Sequence, residues 1–170
     1  MNQAGYFPQY FPEYFNDMLV RLEELLYHEL SGCAAWKVEL VGIDFIQSKN
    51  IQGKTEDEVI GECIREITSG GLVKSLTYSI GGKGILLNLK MKGCIHLPKE
   101  VRLKKDGIEP YLCPIANMVL DQLIQKLNYE TTYLAKLDID EKEGECKVKC
   151  AIYETPDKIG LVSDWSKEEL

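Results

Sequence analysis

The sequence predicts an α+β fold, a mainly antiparallel sheet with helices packed on one face, in the order α-β-α-β-β-α-β-β. Three observations predict it. Two pairs of strand-like segments are each joined by a short glycine-containing turn, Gly81-Gly82-Lys83-Gly84 and Glu141-Lys142-Glu143-Gly144, and such turns connect antiparallel neighbours. Three longer stretches carry apolar residues at helical spacing. The strict βαβαβ alternation of a parallel, doubly wound sheet is missing, as is a glycine-rich phosphate loop, so nucleotide binding is not expected.

Taken in order, residues 1–12 form an aromatic, extended arm, with the near-repeat Tyr6-Phe7-Pro8-Gln9-Tyr10-Phe11-Pro12. Aromatic side chains are enriched at interfaces, so the arm either packs along its own domain or contributes a homodimer contact. A helix is expected over Glu13–Leu30, with Phe15, Met18, Leu19, Leu22, Leu25, Leu26 and Leu30 inward. Its outer side would carry Asp17, Arg21, Glu24 and a solvent-exposed His28, and Gly32 is its expected terminator. Trp36–Gln47 reads as a strand with a bulge at Gly42. Thr55–Thr68 reads as a helix opened by a Thr55/Glu58 capping box, its apolar stripe made by Val59, Ile60, Cys63, Ile64 and Ile67.

The first hairpin pairs Leu76, Tyr78 and Ile80 with Ile85, Leu87, Leu89 and Met91. Leu97–Pro110 is polar and reads as an irregular connection. A helix then begins at Cys113-Pro114 and runs to about Leu127, with Ala116, Val119, Leu120, Leu123, Ile124 and Leu127 inward. A second hairpin joins Thr131–Asp140 to Glu145–Tyr153, and 156–170 is a polar tail. Residues 13–155 are thus expected to form a single domain, of a size that buries roughly two-thirds of its unfolded surface.

Composition narrows the function classes. Apolar residues are 45% and charged residues 28% of the chain, and the net charge is −7 (20 basic against 27 acidic) without a basic block. A nucleic-acid partner is therefore not expected, because phosphate binding needs clustered Lys and Arg. No membrane span and no signal peptide are read, which makes the cytoplasm the expected location. In that setting the six cysteines (33, 63, 94, 113, 146, 150) are expected to be reduced thiols.

The sharpest local feature is Cys113 directly before Pro114. Proline is favoured at the first helical position, which makes Cys113 the N-cap, its sulfur near unpaired N–H groups and the positive end of the helix dipole. A thiol so placed is expected to have a lowered pKa. Upstream, Cys94 and His96 fall on one side of an extended chain, within about 7 Å. Cys146 and Cys150 lie about 13 Å apart along a strand, whereas two ligands of one zinc are about 4 Å apart, so they do not share an ion. The candidate metal ligands are Cys94, His96, Cys113 and Cys146, with Cys33, an acidic residue or water as other sources of a fourth donor and zinc as the candidate ion. Two other readings stay open. The cysteines are structural core, or Cys113 is a nucleophile with His96 as base and Asn117 nearby, making a thiol- or metal-dependent enzyme.

A cysteine opening a helix (Cys113 through Leu127), a strand (Thr131–Asp140) and the Gly144-Glu145-Cys146-Lys147-Val148 step into a last strand together resemble the 4-vinyl reductase domain. This is a small-molecule or hydrocarbon-binding family related to Golgi transport-complex subunits. The resemblance implies a binding or sensing module, in which the helix cysteine and a cysteine of the final hairpin bind zinc near a buried pocket for a small apolar molecule. Cys113 and Cys146 match two of those roles. Where the family has Glu-x-x-Cys this chain has Glu130-Thr131-Thr132-Tyr133, and the family's helix glycines are absent, so Cys94 and His96 would have to replace the missing ligand.

Overall fold

The computed structural model of the chain describes residues 11–30, 41–81, 86–108, 112–129 and 131–153. Among these residues nine elements follow one another: α1 (Phe11–Leu30), α2 (Ile43–Gln47), α3 (Glu56–Ser69), β1 (Ser75–Gly81), β2 (Leu86–Lys92), α4 (Leu97–Lys105), α5 (Pro114–Leu127), β3 (Thr131–Asp140) and β4 (Glu145–Tyr153). The four strands form one antiparallel sheet in the order β1-β2-β4-β3. The fold is α+β, as the hairpins predict. Residues 1–10 of the aromatic arm, the Gly32 terminator, Cys33, residues 36–40 of the expected strand and the whole C-terminal tail lie outside the described residues, whereas Phe11 and Pro12, expected in the extended arm, open α1.

Register explains the core. Three rows of facing residues run across the apolar side of the sheet: Leu76–Met91–Cys146–Ile139, Tyr78–Leu89–Val148–Leu137, and Ile80–Leu87–Cys150. Because strand side chains alternate, one face of β4 carries Cys146, Val148, Cys150 and Ile152, and all four are buried. Against the apolar side of the sheet lie α5, buried continuously from Pro114 to Leu120 over β3 and β4, and α3, whose Val59, Ile60, Cys63 and Ile67 pack beside α5 and β1. The start of α3 follows its sequence signal. Thr55 Oγ1 accepts from the Glu58 N–H at 3.3 Å, while Glu58 turns back to the Lys54 N–H at 2.7 Å, one residue earlier than a reciprocal box.

Four expectations are corrected. Residues 43–47 are helical, not extended. Gly42 adopts φ +89°, which turns the chain into α2 and brings its Cα against Pro114, so fully buried Ile46 packs as a helical residue despite its β-branched character. The Leu97–Pro110 connection contains α4; its polarity hid a single inner face of Lys99, Glu100 and Leu103. In α1 the inner face is turned from the predicted one, although Asp17 and Arg21 are exposed as expected and Leu19 and Leu26 are half-buried. Val20 and Glu23 point inward, whereas Phe15, Met18, Leu22 and Leu25 are exposed; His28 is exposed as expected. Ile124 of α5, expected inward, is also exposed.

A Cβ at residue 42 would lie 2.9 Å from Pro114 Cβ in a left-handed backbone. Gly42→Ala is therefore expected to lower unfolding stability by about 1–3 kcal/mol in urea titrations with an unchanged m-value.

Candidate functional site

The candidate site is a corner where one end of the sheet meets α4 and α5. As β2 leaves the sheet, Gly93 takes φ +59° and its N–H donates to the Gly144 carbonyl at 3.0 Å. That bond ties the β2 exit to the β4 entry and sets Cys94 beside the row containing Cys146. The Leu97 N–H then donates to the Cys94 carbonyl at 3.1 Å, and α4 begins with His96 as its N-cap and a proline in its first turn. Cys113 is the N-cap of α5, extended at φ −128°, with Pro114 at the helix start as predicted. Cys94, Cys113 and Cys146 are all buried in one continuous core, and all are free thiols.

Burial overrides the helix-dipole argument for Cys113. Loss of solvation pushes its pKa well above the ordinary thiol value, and the neighbouring Cys94, Glu100 and Cys150 add to the rise. The Ala116 N–H pulls the other way, yet the pair lacks hydrogen-bond geometry, so the dipole's contribution stays small. The expected lowering of this pKa is thus corrected: an N-cap at the surface activates a thiol, and one in a dry interior does not. Burial likewise raises Cys94, and Cys146 is pushed up to about 12, with Cys94 and Glu100 adding to it.

His96 behaves differently. Burial and the adjacent Lys99 ammonium lower its pKa to about 4, leaving a neutral ring at physiological pH. Residue 96 favours the Cys94 thiolate through its backbone N–H. Asn117 donates Nδ2–H to the Val41 carbonyl at 3.0 Å, a tie between α5 and the segment before α2. Cys150 is pushed up to about 12 by burial and lies two rows of the sheet from Cys146.

The structure adds a group that the sequence reading did not name. On the inner face of α4, Lys99 Nζ bonds to Glu23 of α1 and, at 2.6 Å, to Glu100 Oε1, all three side chains being buried. Arg102 on the same helix pairs with Asp17 of α1. Burial, with Glu23 adding to it, raises Glu100 to about 7 against the pull of Lys99. Glu100 Oε2 accepts no hydrogen bond among the described residues. The negative charge of Glu100 adds to the burial that raises Cys94, Cys113 and Cys146. Its only signal in the sequence was the spacing of Lys99, Glu100 and Leu103, which has meaning once the segment is known to be helical.

As they stand, no three His, Cys, Asp or Glu side chains among the described residues are drawn tightly enough together to hold a metal ion. The chemistry of the donors nevertheless suits a thiophilic divalent cation: three sulfurs and a buried carboxylate oxygen left without a partner. Among the described residues no helix is long and apolar enough to cross a membrane. Comparison with protein-family models, curated proteins and solved structures finds no match to this chain.

The Glu100 carboxyl makes a specific pH prediction. Its folded pKa, about 7, lies above the ordinary 4.5, so folding favours the protonated form. That contribution is complete below pH 4.5 and is lost as pH rises towards 7. Glu100→Gln keeps the neutral form throughout. In metal-free protein, the stability of Glu100→Gln relative to wild type should rise by roughly 3 kcal/mol over that window, measured by urea unfolding. Unaltered relative stability would show that the carboxyl is not desolvated.

Proposed function

We propose that the chain is a binding or sensing domain rather than an enzyme. It would take a small apolar molecule in the interior between helices and sheet, and a zinc ion at the corner of Cys94, His96, Cys113 and Cys146. The observation that carries this reading is the burial, in one core, of three free cysteines from three separate segments, the β2–α4 turn, the mouth of α5 and the start of β4. Cysteines there serve a cross-link between helices and sheet better than they serve catalysis. The resemblance of Cys113–Val148 to the 4-vinyl reductase domain points the same way, towards a module that binds a hydrocarbon-like molecule.

The catalytic alternative finds less support. A nucleophile needs an accessible thiolate and a base. Cys113 is buried with a raised pKa, the Asn117 amide is bonded to Val41, and the His96 ring is affected by Lys99. Zinc at this corner would replace thiol protons and couple the site to folding.

Anaerobically purified protein should contain close to one zinc per chain by elemental analysis. Cys113→Ser should lose it and unfold about 8–16 °C lower, the equivalent of about 4 kcal/mol of binding free energy. Wild type that carries no zinc as purified, or zinc-loaded wild type with the same melting temperature as Cys113→Ser, would overturn the reading. Native mass spectrometry of the same sample reads any copurifying apolar molecule.

A homodimer is favoured by one further observation. Phe15, Met18, Leu22 and Leu25 form an exposed stripe on α1 with the alternating three- and four-residue spacing of a helix-pairing seam. A second copy of α1 would bury it. Sedimentation should give twice the 19.3 kDa chain mass for wild type and a single chain for Leu22→Glu/Leu25→Glu; a monomeric wild type would remove the dimer.

A further inference from the structure

We infer that the edge strand β1 takes up an extended segment of another protein as a further strand of the sheet. The segment has apolar residues at alternate positions and a lysine or arginine opposite Tyr78. Among the described residues β1 pairs with β2 alone, and residues 75–81 enter no backbone hydrogen bond outside that ladder. Alternate residues of an edge strand direct their N–H and C=O away from the sheet. An extended backbone meets those groups, because its own donors and acceptors recur at the same intervals.

The devices that ordinarily close an edge are missing from β1. It contains no lysine and no proline, and its pairing with β2 is unbroken over seven residues. Lys74, just before it, lays its stem beside Gly93. The other edge strand, β3, is interrupted between Leu134 and Lys136 and carries Lys136, Asp138 and Asp140.

The surroundings of β1 define the chemistry of its partner. Ser75, Thr77 and Ser79 are exposed on the outer side of the sheet and suit polar neighbours. On the inner side Tyr78 and Ile80 are half-buried against the core, as is Ile64 of the adjoining α3. The Tyr78 hydroxyl donates to Asp57 of α3 at 2.7 Å, so that side of the helix borders the strand. Gly61 lies one turn further along the same side. A Cβ there would meet no atom within 4 Å, and the residue has no positive φ. A glycine in a helix interior weakens the helix, and no packing among the described residues calls for this one. The gap it leaves admits a side chain of the added strand.

Charge decides between a foreign segment and a second copy of β1. Pairing the whole strand with its own copy would centre the two-fold on Tyr78. That would draw two Asp57 carboxylates together, with an exposed Glu58 beside each. A lysine or arginine opposite Tyr78 meets the same charge favourably.

The experiment titrates the full chain into a fluorescein-labelled peptide of seven residues, the length of β1, with threonine alternating with isoleucine, lysine and valine in turn. Anisotropy should show saturable binding, weakened at least about tenfold at low salt when the lysine is replaced by glutamate. N-methylation of one alternate set of peptide amides should abolish binding, while methylation of the other set leaves it within about threefold. Gly61→Gln, whose side chain fills the gap, should melt no lower than wild type and bind at least about tenfold more weakly. Saturating unlabelled peptide should slow hydrogen exchange at alternate β1 amides.

Absence of saturable binding overturns the inference, as do equal effects of the two methylation patterns or wild-type affinity in Gly61→Gln. So does finding every β1 amide of the peptide-free chain as protected as those of β2, since the edge is then held by another part of the chain or by a second copy.

Discussion

One ammonium group, Lys99 Nζ, keeps two carboxylates in the interior, and the attachment of α1 depends on it. Removing either kind of charge from such a group leaves the other buried without compensation, which costs far more than the intact cluster contributes. The apolar contacts beside it are few: Val20, Leu103 and Ile108 form a small cluster apart from the main core. The ionic arrangement therefore specifies where α1 sits, while the sheet, α3 and α5 hold together through ordinary hydrophobic burial.

Much of the fold was legible because its signals are local. The alternation in β1, β2 and β4, the turn residues between paired strands and the Thr55 cap each depend on a few neighbouring residues, and each element lies where those residues put it. The start of α5 at Cys113-Pro114 is of the same kind. What was not legible depends on distant partners. Residues 43–47 are rich in strand-favouring side chains, yet the close approach of Gly42 to Pro114 decides their conformation. The apolar stripe of α1 announced a helix correctly but not its orientation, because a buried glutamate was assigned to neither face.

The site divides along the same line. That Cys113 opens a helix and that Cys146 lies on the inner face of the last strand was readable from local spacing. The protonation state of Cys113 was not, since it depends on the layers packed around it: the dipole of a helix acts the same way at the surface and inside, but desolvation acts only inside. Glu100 was hidden for another reason. In a segment read as irregular, Lys99 and Glu100 look like two more solvated charges, and only the packing of α1 turns them inward.

The covering of this corner also governs how quickly anything reaches it. Behind the thiols stands the sheet end, pinned where Gly93 bonds to Gly144, and beside them the buried start of α5. Among the described residues α1 is joined to α4 by the Lys99 and Arg102 ion pairs and the small cluster of Val20, Leu103 and Ile108. Exchange with the surroundings would therefore proceed through partial detachment of that one helix, an opening much smaller than global unfolding. Traffic at the corner would be slow, and its rate would be set by the hold of Glu23 on Lys99 rather than by diffusion.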